Sequence, residues 1–323
     1  MKSAECVTPK HPDKLCDQIS DAILDFCLWQ DTKSRVAIEV QGGHGKISIM
    51  GEVTFAGILS DSDIYKIVHR LTGYAKSKVK INIVKQSPEI AKGVDIGGAG
   101  DQGIMSGYAC TDNDELMPQE YYLARSLCKF IYAKYPYDGK TEIILDDNNN
   151  IFILVASFQK VASNKLLEKV NEWLSINNYA SCEILCNPAG DWKLGGFDAD
   201  TGVTGRKLMV DNYGPQIAIG GGAFSGKDAT KVDRSAAYMA RSMAVYYLKK
   251  LKAREVIVKI VYAIGRAEPL MVDVTVDGEK LKMYHGGWDL KPLSIIKYLK
   301  LREPIFEETA KWGHFGNGFL WDN

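Results

Sequence analysis

Apolar residues near the start of the chain recur first at helical spacing and then at strand spacing. This pattern predicts a helix, two strands, a helix and a strand, over residues 13–29, 35–40, 46–55, 61–72 and 79–84. Residues 42–45, three of them glycine, form the predicted turn between the two strands. Asp61 has the position and chemistry of an N-cap, so we expect it to begin the second helix.

The same order of elements recurs twice more along the chain. Further elements are predicted at 118–133, 142–145, 151–157, 164–177 and 182–186, and then at 231–251, 256–263, 271–276 and 292–301. Rounds of this length exceed a solenoid repeat, and hairpins rather than crossovers join the strands. We predict an α/β chain of α+β type, in which three similar domains have a pseudo-threefold arrangement. Each domain is a mixed or antiparallel sheet with helices on one face, over residues 1–90, 97–195 and 197–321.

The composition limits the class of protein and its partners. Forty basic and forty acidic side chains balance, so no global field attracts nucleic acid or an anionic membrane. No apolar run approaches the roughly 20 residues that cross a bilayer, and no secretory signal is visible. The seven cysteines are odd in number and contain no C-x-x-C, which is typical of reduced thiols in a cytoplasmic protein.

Glycine is concentrated in three segments without predicted secondary structure, at 97–103, 195–196 and 220–228. Such segments are either ordinary surface loops or backbone cradles for a phosphate group. The spacing from Gly221 to Lys227 matches the start of a P-loop, G-x-x-x-x-G-K. However, Asp228 stands where that motif needs Ser or Thr, and no predicted strand leads into Gly221. We therefore favour a phosphate-binding loop that is not a P-loop.

Basic residues and carboxylates lie next to these glycines. The basic residues are Lys140, Arg206, Lys207, Lys227 and Lys231. The sequence HPDK at 11–14 begins the first helix and combines a proton donor, a magnesium ligand and a phosphate contact. Ordinary helix capping explains this tetrapeptide equally well when it is taken alone. Together these groups predict a clamp for a polyphosphate.

Several long motifs resemble those of the methionine adenosyltransferases. HPDK with DQISDA at 17–22 is similar to the opening motif of that family, GAGDQG at 98–103 to its second motif, and GGGAFSGKD at 220–228 to its third. Shorter matches occur at 86–88, 202–207, 231–238, 262–265 and 313–316. All of them follow the family order over nearly the whole chain.

The resemblance implies a reaction, cofactors and partners. Methionine sulfur would attack C5′ of ATP and displace tripolyphosphate, which the same site would cleave to pyrophosphate and phosphate. Two Mg²⁺ ions and one K⁺ ion would assist. The active site would be shared between two subunits of a dimer, and such dimers often pair into tetramers. No nucleic acid or membrane partner is implied.

The resemblance also implies roles for individual residues. Catalytic roles fall to His11, Arg206 and Lys227. Contacts to ATP and its phosphates fall to Asp138, Lys140, Asp191, Trp192, Asp200, Arg206, Lys207, Ala223 and Lys227. Methionine would contact Glu52, Gln86, Asp101, Asp200, Lys231 and Ile264. Asp13 and Asp233 would bind magnesium, and Glu39 would bind potassium.

The sequence departs from the family pattern at several positions. Pro9 and Lys10 replace the usual Glu-Gly before HPDK, and Asp191 replaces a basic residue. Trp192 occupies the position of the aromatic residue that stacks on adenine. The segment between Gln86 and Asp101, which is the gating loop of the family, is several residues shorter than usual. The chain also stops early at its C-terminus. These departures therefore concern lid closure and substrate tolerance.

Three hypotheses follow from the sequence. The first is an active methionine adenosyltransferase, because each residue assigned to magnesium, phosphate or methionine keeps a suitable side chain. The second is a catalytically weak homologue that serves as a nucleotide-binding or regulatory subunit, which the altered gating segment and the Asp191–Trp192 pair motivate. The third is a tripolyphosphatase or P-loop-like hydrolase, which Glu52, Gln86 and Lys231 disfavour.

Overall fold

The computed structural model describes residues 1–86, 97–281 and 287–323. Its helices are α1 (Pro12–Gln30), α2 (Asp61–Thr72), α3 (Gln119–Lys134), α4 (Ser163–Ile176), α5 (Leu208–Asp211), α6 (Val232–Leu251), α7 (Pro292–Tyr298) and α8 (Phe306–Thr309). Every helix predicted from the apolar pattern is confirmed, whereas the short helices α5 and α8 were not predicted. The predicted N-cap of α2 is wrong by one residue. Ser60 is the cap, because its hydroxyl and the Asp63 carboxylate form a capping box.

The strands of the described residues form three sheets of four strands each. One sheet has the order β1 (Lys2–Val7), β6 (Gly139–Leu145), β7 (Ile151–Phe158) and β8 (Glu183–Cys186). Another has the order β12 (Glu279–Lys280), β11 (Met271–Val276), β10 (Glu255–Tyr262) and β5 (Gly103–Cys110). The remaining sheet has the order β4 (Val79–Val84), β3 (Lys46–Thr54), β2 (Arg35–Gly43) and β9 (Gly202–Val203). The pairs β3–β4 and β7–β8 are parallel and the others antiparallel, so the predicted mixed sheets are confirmed.

In each sheet, three strands come from one round of the sequence and the fourth comes from another round. Strand β1 pairs with β6, β5 pairs with β10, and β9 pairs with β2. The apolar pattern predicted none of these three strands, because each is short or lies beside glycine and its partner is far away along the chain. The exchange interlocks the three sheets. The domain boundaries at 90, 97, 195 and 197 stay a prediction.

Two long helices cover the sheets that carry the candidate site residues. Helix α1 packs against β2, and α6 packs against β5 and β10. Alternate residues of β10 are buried toward α6, whereas the residues between them are only partly covered. The helices therefore occupy one face of each sheet, as predicted, and leave the opposite face open in the single chain.

The cysteines and the helices agree with the expectations from composition. All seven cysteines are free thiols, and five of them are buried. Burial raises the pKa of Cys27 to about 12, which keeps this thiol protonated and unreactive. None of the helices in the described ranges is both long enough and apolar enough to span a membrane.

Replacing Gly107 by alanine tests how closely α6 approaches β5. A Cβ atom at Gly107 would lie 2.0 Å from the carbonyl carbon of Ala240, so the helix or the strand would have to move. We expect the free energy of unfolding, measured by urea titration, to fall by about 2 to 3 kcal/mol. Gly278→Ala is the control, because its Cβ would meet nothing within 4 Å and only its positive φ is unfavourable. Equal losses in the two variants would contradict this account.

Candidate active site

Asp13 is the centre of a first cluster of charged residues, at the start of α1. Its carboxylate accepts a hydrogen bond from the Val203 backbone N–H at 2.9 Å and pairs with Lys207 Nζ at 2.5 Å. Arg206 Nε lies 3.7 Å from the same carboxylate. Burial raises the pKa of Asp13, but the hydrogen bonds from Lys207 and Val203 outweigh this effect and hold it below its ordinary value. The ionised carboxylate thus keeps two cations beside the helix start.

His11 is the N-cap of α1 and belongs to the same cluster. Its Nδ1 accepts a hydrogen bond from the Asp13 backbone N–H at 3.2 Å, so the neutral ring carries its proton on Nε2. Burial and the nearby Lys207 ammonium lower the pKa of His11 to about 4, although Asp13 and Asp200 oppose this shift. At neutral pH the imidazole is therefore an uncharged N–H donor.

Asp138 lies just before β6, on another side of this cluster. Its carboxylate accepts a hydrogen bond from the Gly196 backbone N–H at 2.8 Å. Burial raises the pKa of Asp138 to about 6, although the backbone hydrogen bonds oppose the shift. Asp200 and Lys207 are charged neighbours of this carboxylate, and Lys140 acts on His11. The structure therefore brings together the residues of this cluster, His11, Asp13, Asp138, Lys140, Asp200, Arg206 and Lys207.

The glycine-rich segment before α6 supports a second cluster. Lys227 Nζ pairs with Asp233 at 2.5 Å, and Lys231 pairs with Asp228. The Asp228 carboxylate also accepts a hydrogen bond from the Val36 backbone N–H at 2.8 Å, which fixes it to β2. Asp228 thus occupies the P-loop Ser/Thr position as a structural residue, which agrees with the rejection of a P-loop. Lys231 is the N-cap of α6, and Lys227 reaches the first turn of that helix through its pair with Asp233.

The position of Lys227 depends on the residue before it. Gly226 has a φ of +81°, and a Cβ atom there would lie 2.0 Å from the carbonyl oxygen of Ile38. Only glycine fits this close approach. The approach is held by a hydrogen bond from the Ile38 N–H to the Gly226 carbonyl at 3.0 Å. A single bridge between Ala37 and Lys227 extends the same contact. The loop is therefore attached to the edge of β2.

The two clusters adjoin each other. A Cβ atom at Gly205 would lie 2.5 Å from the Cβ of Ala223, so the loop that carries Arg206 touches the loop that carries Lys227. The charged neighbours of Glu39 are Lys227, from the second cluster, and Asp17, which accepts a hydrogen bond from the Gly205 N–H at 2.8 Å. The pair of Lys207 with Asp13 and the pair of Lys227 with Asp233 thus belong to one continuous region.

Asp101 and Ile264 lie on the side of this region that faces β5. The Ala99 N–H donates to the Arg266 carbonyl at 2.8 Å, which places the segment before Asp101 beside the end of β10. A Cβ atom at Gly103 would lie 3.5 Å from Asp233 Oδ1, so the same segment reaches the second cluster. Ile264 is exposed. Gly103 therefore borders the Lys227–Asp233 pair. Asp101 lies just before Gly103 in the chain, and Ile264 lies just after Tyr262, which is opposite Gly103 in the sheet register.

Glu52 and Gln86 lie on the other side, at the ends of β3 and β4. Glu52 is opposite Ala37 in the sheet register, and Ala37 in turn bridges to Lys227. The Gln86 N–H donates to the Thr54 hydroxyl at 3.3 Å, which places Gln86 near Glu52. The Gln86 side-chain oxygen is buried and has no hydrogen-bond partner within the described ranges. Of the gating segment between Gln86 and Asp101, residues 87–96 lie outside the described residues.

Asp191 and Trp192 lie apart from the charged clusters. The Asp191 carboxylate accepts a hydrogen bond from the Ser163 backbone N–H at 2.9 Å and another from its hydroxyl, which ties it to the start of α4. Trp192 follows and packs against Gly195, next to the loop that contacts Asp138. Asp191 therefore has a structural partner of its own, and it stabilises the segment that presents Trp192.

The structure gives a role to a residue that the sequence showed only as a departure. Lys10 Nζ donates a hydrogen bond to the Leu71 carbonyl at 2.9 Å, in the last turn of α2. A cation is favourable at the C-terminal end of a helix dipole. Lys10 thus connects the segment before α1 to α2. A second contact is made by Glu5 in the preceding strand β1, which pairs with Lys140. A lysine before HPDK was visible in the sequence, but its distant partner was not.

Comparison with known proteins identifies relatives over the whole chain. The profile of the S-adenosylmethionine synthetase N-terminal domain matches residues 1–92, that of the central domain 96–192, and that of the C-terminal domain 194–323. S-adenosylmethionine synthases of Bifidobacterium adolescentis and Desulforudis audaxviator are 37% and 39% identical, covering 99% and 98% of this chain and 95% and 93% of their own lengths. The Thermus thermophilus enzyme is 38% identical, over 99% of this chain and 95% of its own.

The pKa of His11 provides a direct test of this site. We expect the imidazole titration followed by NMR to have its midpoint near pH 4 rather than at the ordinary 6.5, because burial and Lys207 disfavour the charged ring. Between these values the unfolded chain binds the proton and the folded chain does not, so folding stability falls as the pH falls from 6.5 to 4. His11→Asn keeps a capping oxygen and should flatten this part of the stability profile. A midpoint near 6.5 would contradict the described surroundings.

Proposed function

The chain belongs to the S-adenosylmethionine synthetase family and is a methionine adenosyltransferase, and on this premise we propose that the two adjoining clusters are its polyphosphate clamp. The observation that carries the proposal is the contact between two loops, each of which presents a lysine beside an aspartate. These pairs are Lys207 with Asp13 and Lys227 with Asp233. Alternating charges of this kind suit a triphosphate together with divalent cations.

The proposed reaction is an in-line displacement at C5′ of ATP. The methionine sulfur forms a bond to C5′ as the bond from C5′ to the phosphate oxygen breaks, and the electron pair of that bond leaves with tripolyphosphate. Lys140, Arg206, Lys207 and Lys227 neutralise the departing anion. The neutral His11 ring donates a hydrogen bond from Nε2–H to the leaving oxygen and keeps its proton. The same cations then hold tripolyphosphate while water attacks a phosphorus atom and cleaves it to pyrophosphate and phosphate.

The residues present fit the proposed magnesium and potassium ions. Asp13, Asp233 and Glu39 offer carboxylate oxygens, which hard cations prefer. Among the described residues no three or more His, Cys, Asp or Glu side chains are grouped to hold a metal by themselves. This agrees with magnesium that is held by one or two carboxylates and completed by substrate phosphates. When bound, the ions neutralise charge on the polyphosphate.

Methionine is proposed to lie between two groups of residues. Glu52 and Gln86, at the ends of β3 and β4, would line one side of it. Asp101 and Ile264, beside β5 and β10, would line the other side, and Lys231 lies near the Gly-rich loop. Carboxylates suit the ammonium group of a zwitterionic amino acid, and the lysine suits its carboxylate. Asp200 is proposed to contact both substrates, and Trp192 to stack on adenine. Asp191 would act through the position of Trp192.

The open sheet face supports the proposed dimer. Ile104, Val261 and Met271 form a cross-strand row on the face of the second sheet opposite α6. Ile104 is 52% exposed and Met271 43% exposed. On the β2–β3 sheet, the exposed Met50 is directly opposite Glu39. A second subunit on this face would cover apolar surface and close the site, and we propose that such dimers also pair into tetramers in the cytoplasm.

A product assay tests the proposed activity against the alternatives. The protein is mixed with ATP, methionine, magnesium and potassium, and the products are resolved by mass. S-adenosylmethionine with pyrophosphate and phosphate supports the proposal. Phosphate release without the sulfonium product indicates a hydrolase, and ATP binding without turnover indicates a regulatory homologue. Omitting potassium or magnesium should lower the rate.

The variants Lys227→Ala and Asp13→Ala test the clamp. We expect each to lower kcat by roughly a thousandfold, because Lys227→Ala loses a cation that faces the leaving group and Asp13→Ala loses a proposed magnesium ligand. Circular dichroism should show that the fold is kept. Lys165→Ala is the control, since Lys165 pairs with Glu168 on the exposed surface of α4. Near-normal rates in either clamp variant would refute the assignment.

The double variant Ile104→Glu with Met271→Glu tests the dimer. Two charges on the open sheet face should shift the protein to monomers in analytical ultracentrifugation and remove activity with them. Ile176→Glu places the same charge at a residue that is 61% exposed, at the end of α4, and should change neither property. A fully active monomer would contradict a shared site.

A further inference from the structure

Four aspartates form a column along one face of α1. They are spaced four residues apart and are Asp13, Asp17, Asp21 and Asp25. Side chains at this spacing lie one above another, with a rise of about 6 Å between neighbours. The first three are almost completely buried. Like charges in such a column repel, so each needs a compensating partner that the surrounding structure supplies.

Every aspartate of this column accepts at least one backbone hydrogen bond from another segment. Asp13 accepts from Val203 and Asp17 from Gly205, at 2.9 and 2.8 Å. Asp21 accepts from the Gly226 N–H at 2.8 Å. Asp25 accepts from two N–H groups at the start of α8, at 3.0 and 2.8 Å. We call these four residues the aspartate column.

Buried cations balance the middle members of the column. Lys14 lies 3.0 Å from Asp17 and 2.5 Å from Asp211, so it pairs with two carboxylates. Arg234 pairs with both oxygens of Asp21, at 2.6 and 2.8 Å, and also donates to the Lys227 carbonyl at 3.0 Å. The Asp21–Arg234 pair therefore binds the Gly-rich loop at two points: Asp21 accepts from the Gly226 N–H, and Arg234 donates to the Lys227 carbonyl.

We propose that Asp17 and Asp21 are positioning residues of the clamp, which set the spacing between the loop that carries Arg206 and Lys207 and the loop that carries Lys227. This inference rests on the proposed function of those cations. The helix is a rigid element, and two neighbouring members of the column, Asp17 and Asp21, hold different loops. Asp25 belongs to the same column but holds α8, which carries no clamp residue. It is therefore an internal control.

Asp17 is the better residue for the test. Asp21→Ala would leave the Arg234 guanidinium buried without a counter-charge, whereas Lys14 keeps Asp211 when Asp17 is replaced. Asp17→Asn keeps an oxygen that accepts from the Gly205 N–H, and Asp17→Ala does not. Asp25→Ala removes two backbone hydrogen bonds to α8 and none to the loops that carry the clamp residues.

The experiment measures the binding of inorganic tripolyphosphate, with magnesium present, by titration calorimetry. We expect the Kd to rise at least tenfold in Asp17→Ala and to stay within threefold of the unmodified protein in Asp17→Asn and within twofold in Asp25→Ala. In kinetics, the KM for ATP should rise in Asp17→Ala while the KM for methionine stays within twofold. An unchanged Kd in Asp17→Ala, or an equal rise in Asp25→Ala, would overturn the proposal.

Hydrogen exchange supplies a second measurement that needs no variant. The Gly205 and Gly226 amides lie in loops, but their bonds to buried carboxylates should make them exchange as slowly as amides inside α1. Exchange as fast as that of exposed turns would overturn the proposal even if Asp17→Ala does not fold. Unmodified protein that binds tripolyphosphate without forming S-adenosylmethionine would refute the proposed function, but the test of the aspartate column would still be decided by binding and exchange.

Discussion

The buried carboxylates of α1 are the constraint on which the rest of the site depends. A carboxylate removed from water is costly unless a cation or several N–H groups compensate it, so each aspartate fixes the segments that supply these groups. Asp21 fixes Arg234 of α6 and the Gly226 loop together. Asp17 fixes Lys14 and the Gly205 loop. The lysines of the two clusters are therefore attached to the core although they lie on loops.

The strand exchange gives these attachments a stable base. Because β9 pairs with β2, the segment before Arg206 lies on the sheet that α1 covers. Because β5 pairs with β10, the segment after Asp101 lies under α6 and beside Asp233. Loops from three parts of the chain thus meet beside α1 and the start of α6. The exposed Ile104 follows Gly103 in the chain, which connects the geometry of the site with the proposed subunit contact.

Local electrostatics shifts the pKa values of the clustered residues in different directions. The Asp13 carboxylate is ionised because Lys207 and Val203 donate to it, whereas the pKa of Asp138 is raised to about 6 because burial dominates. His11 is neutral although it lies among acids, because burial and Lys207 oppose its protonation. An uncharged N–H donor, an ionised carboxylate and cations therefore lie side by side at the start of α1.

The sequence by itself determined the long helices, the hairpins, the mixed character of the sheets and the family, because apolar periodicity and contiguous motifs are local signals. It also indicated HPDK, the Gly-rich loop and the lysines as one clamp. Only the tertiary structure decided which strands exchange between sheets and which aspartate holds which loop. Contacts such as Asp21 with Arg234, or Lys10 with Leu71, join residues that are far apart in the chain. Their partners are chosen by how helices and sheets pack, and no spacing along the sequence specifies that choice.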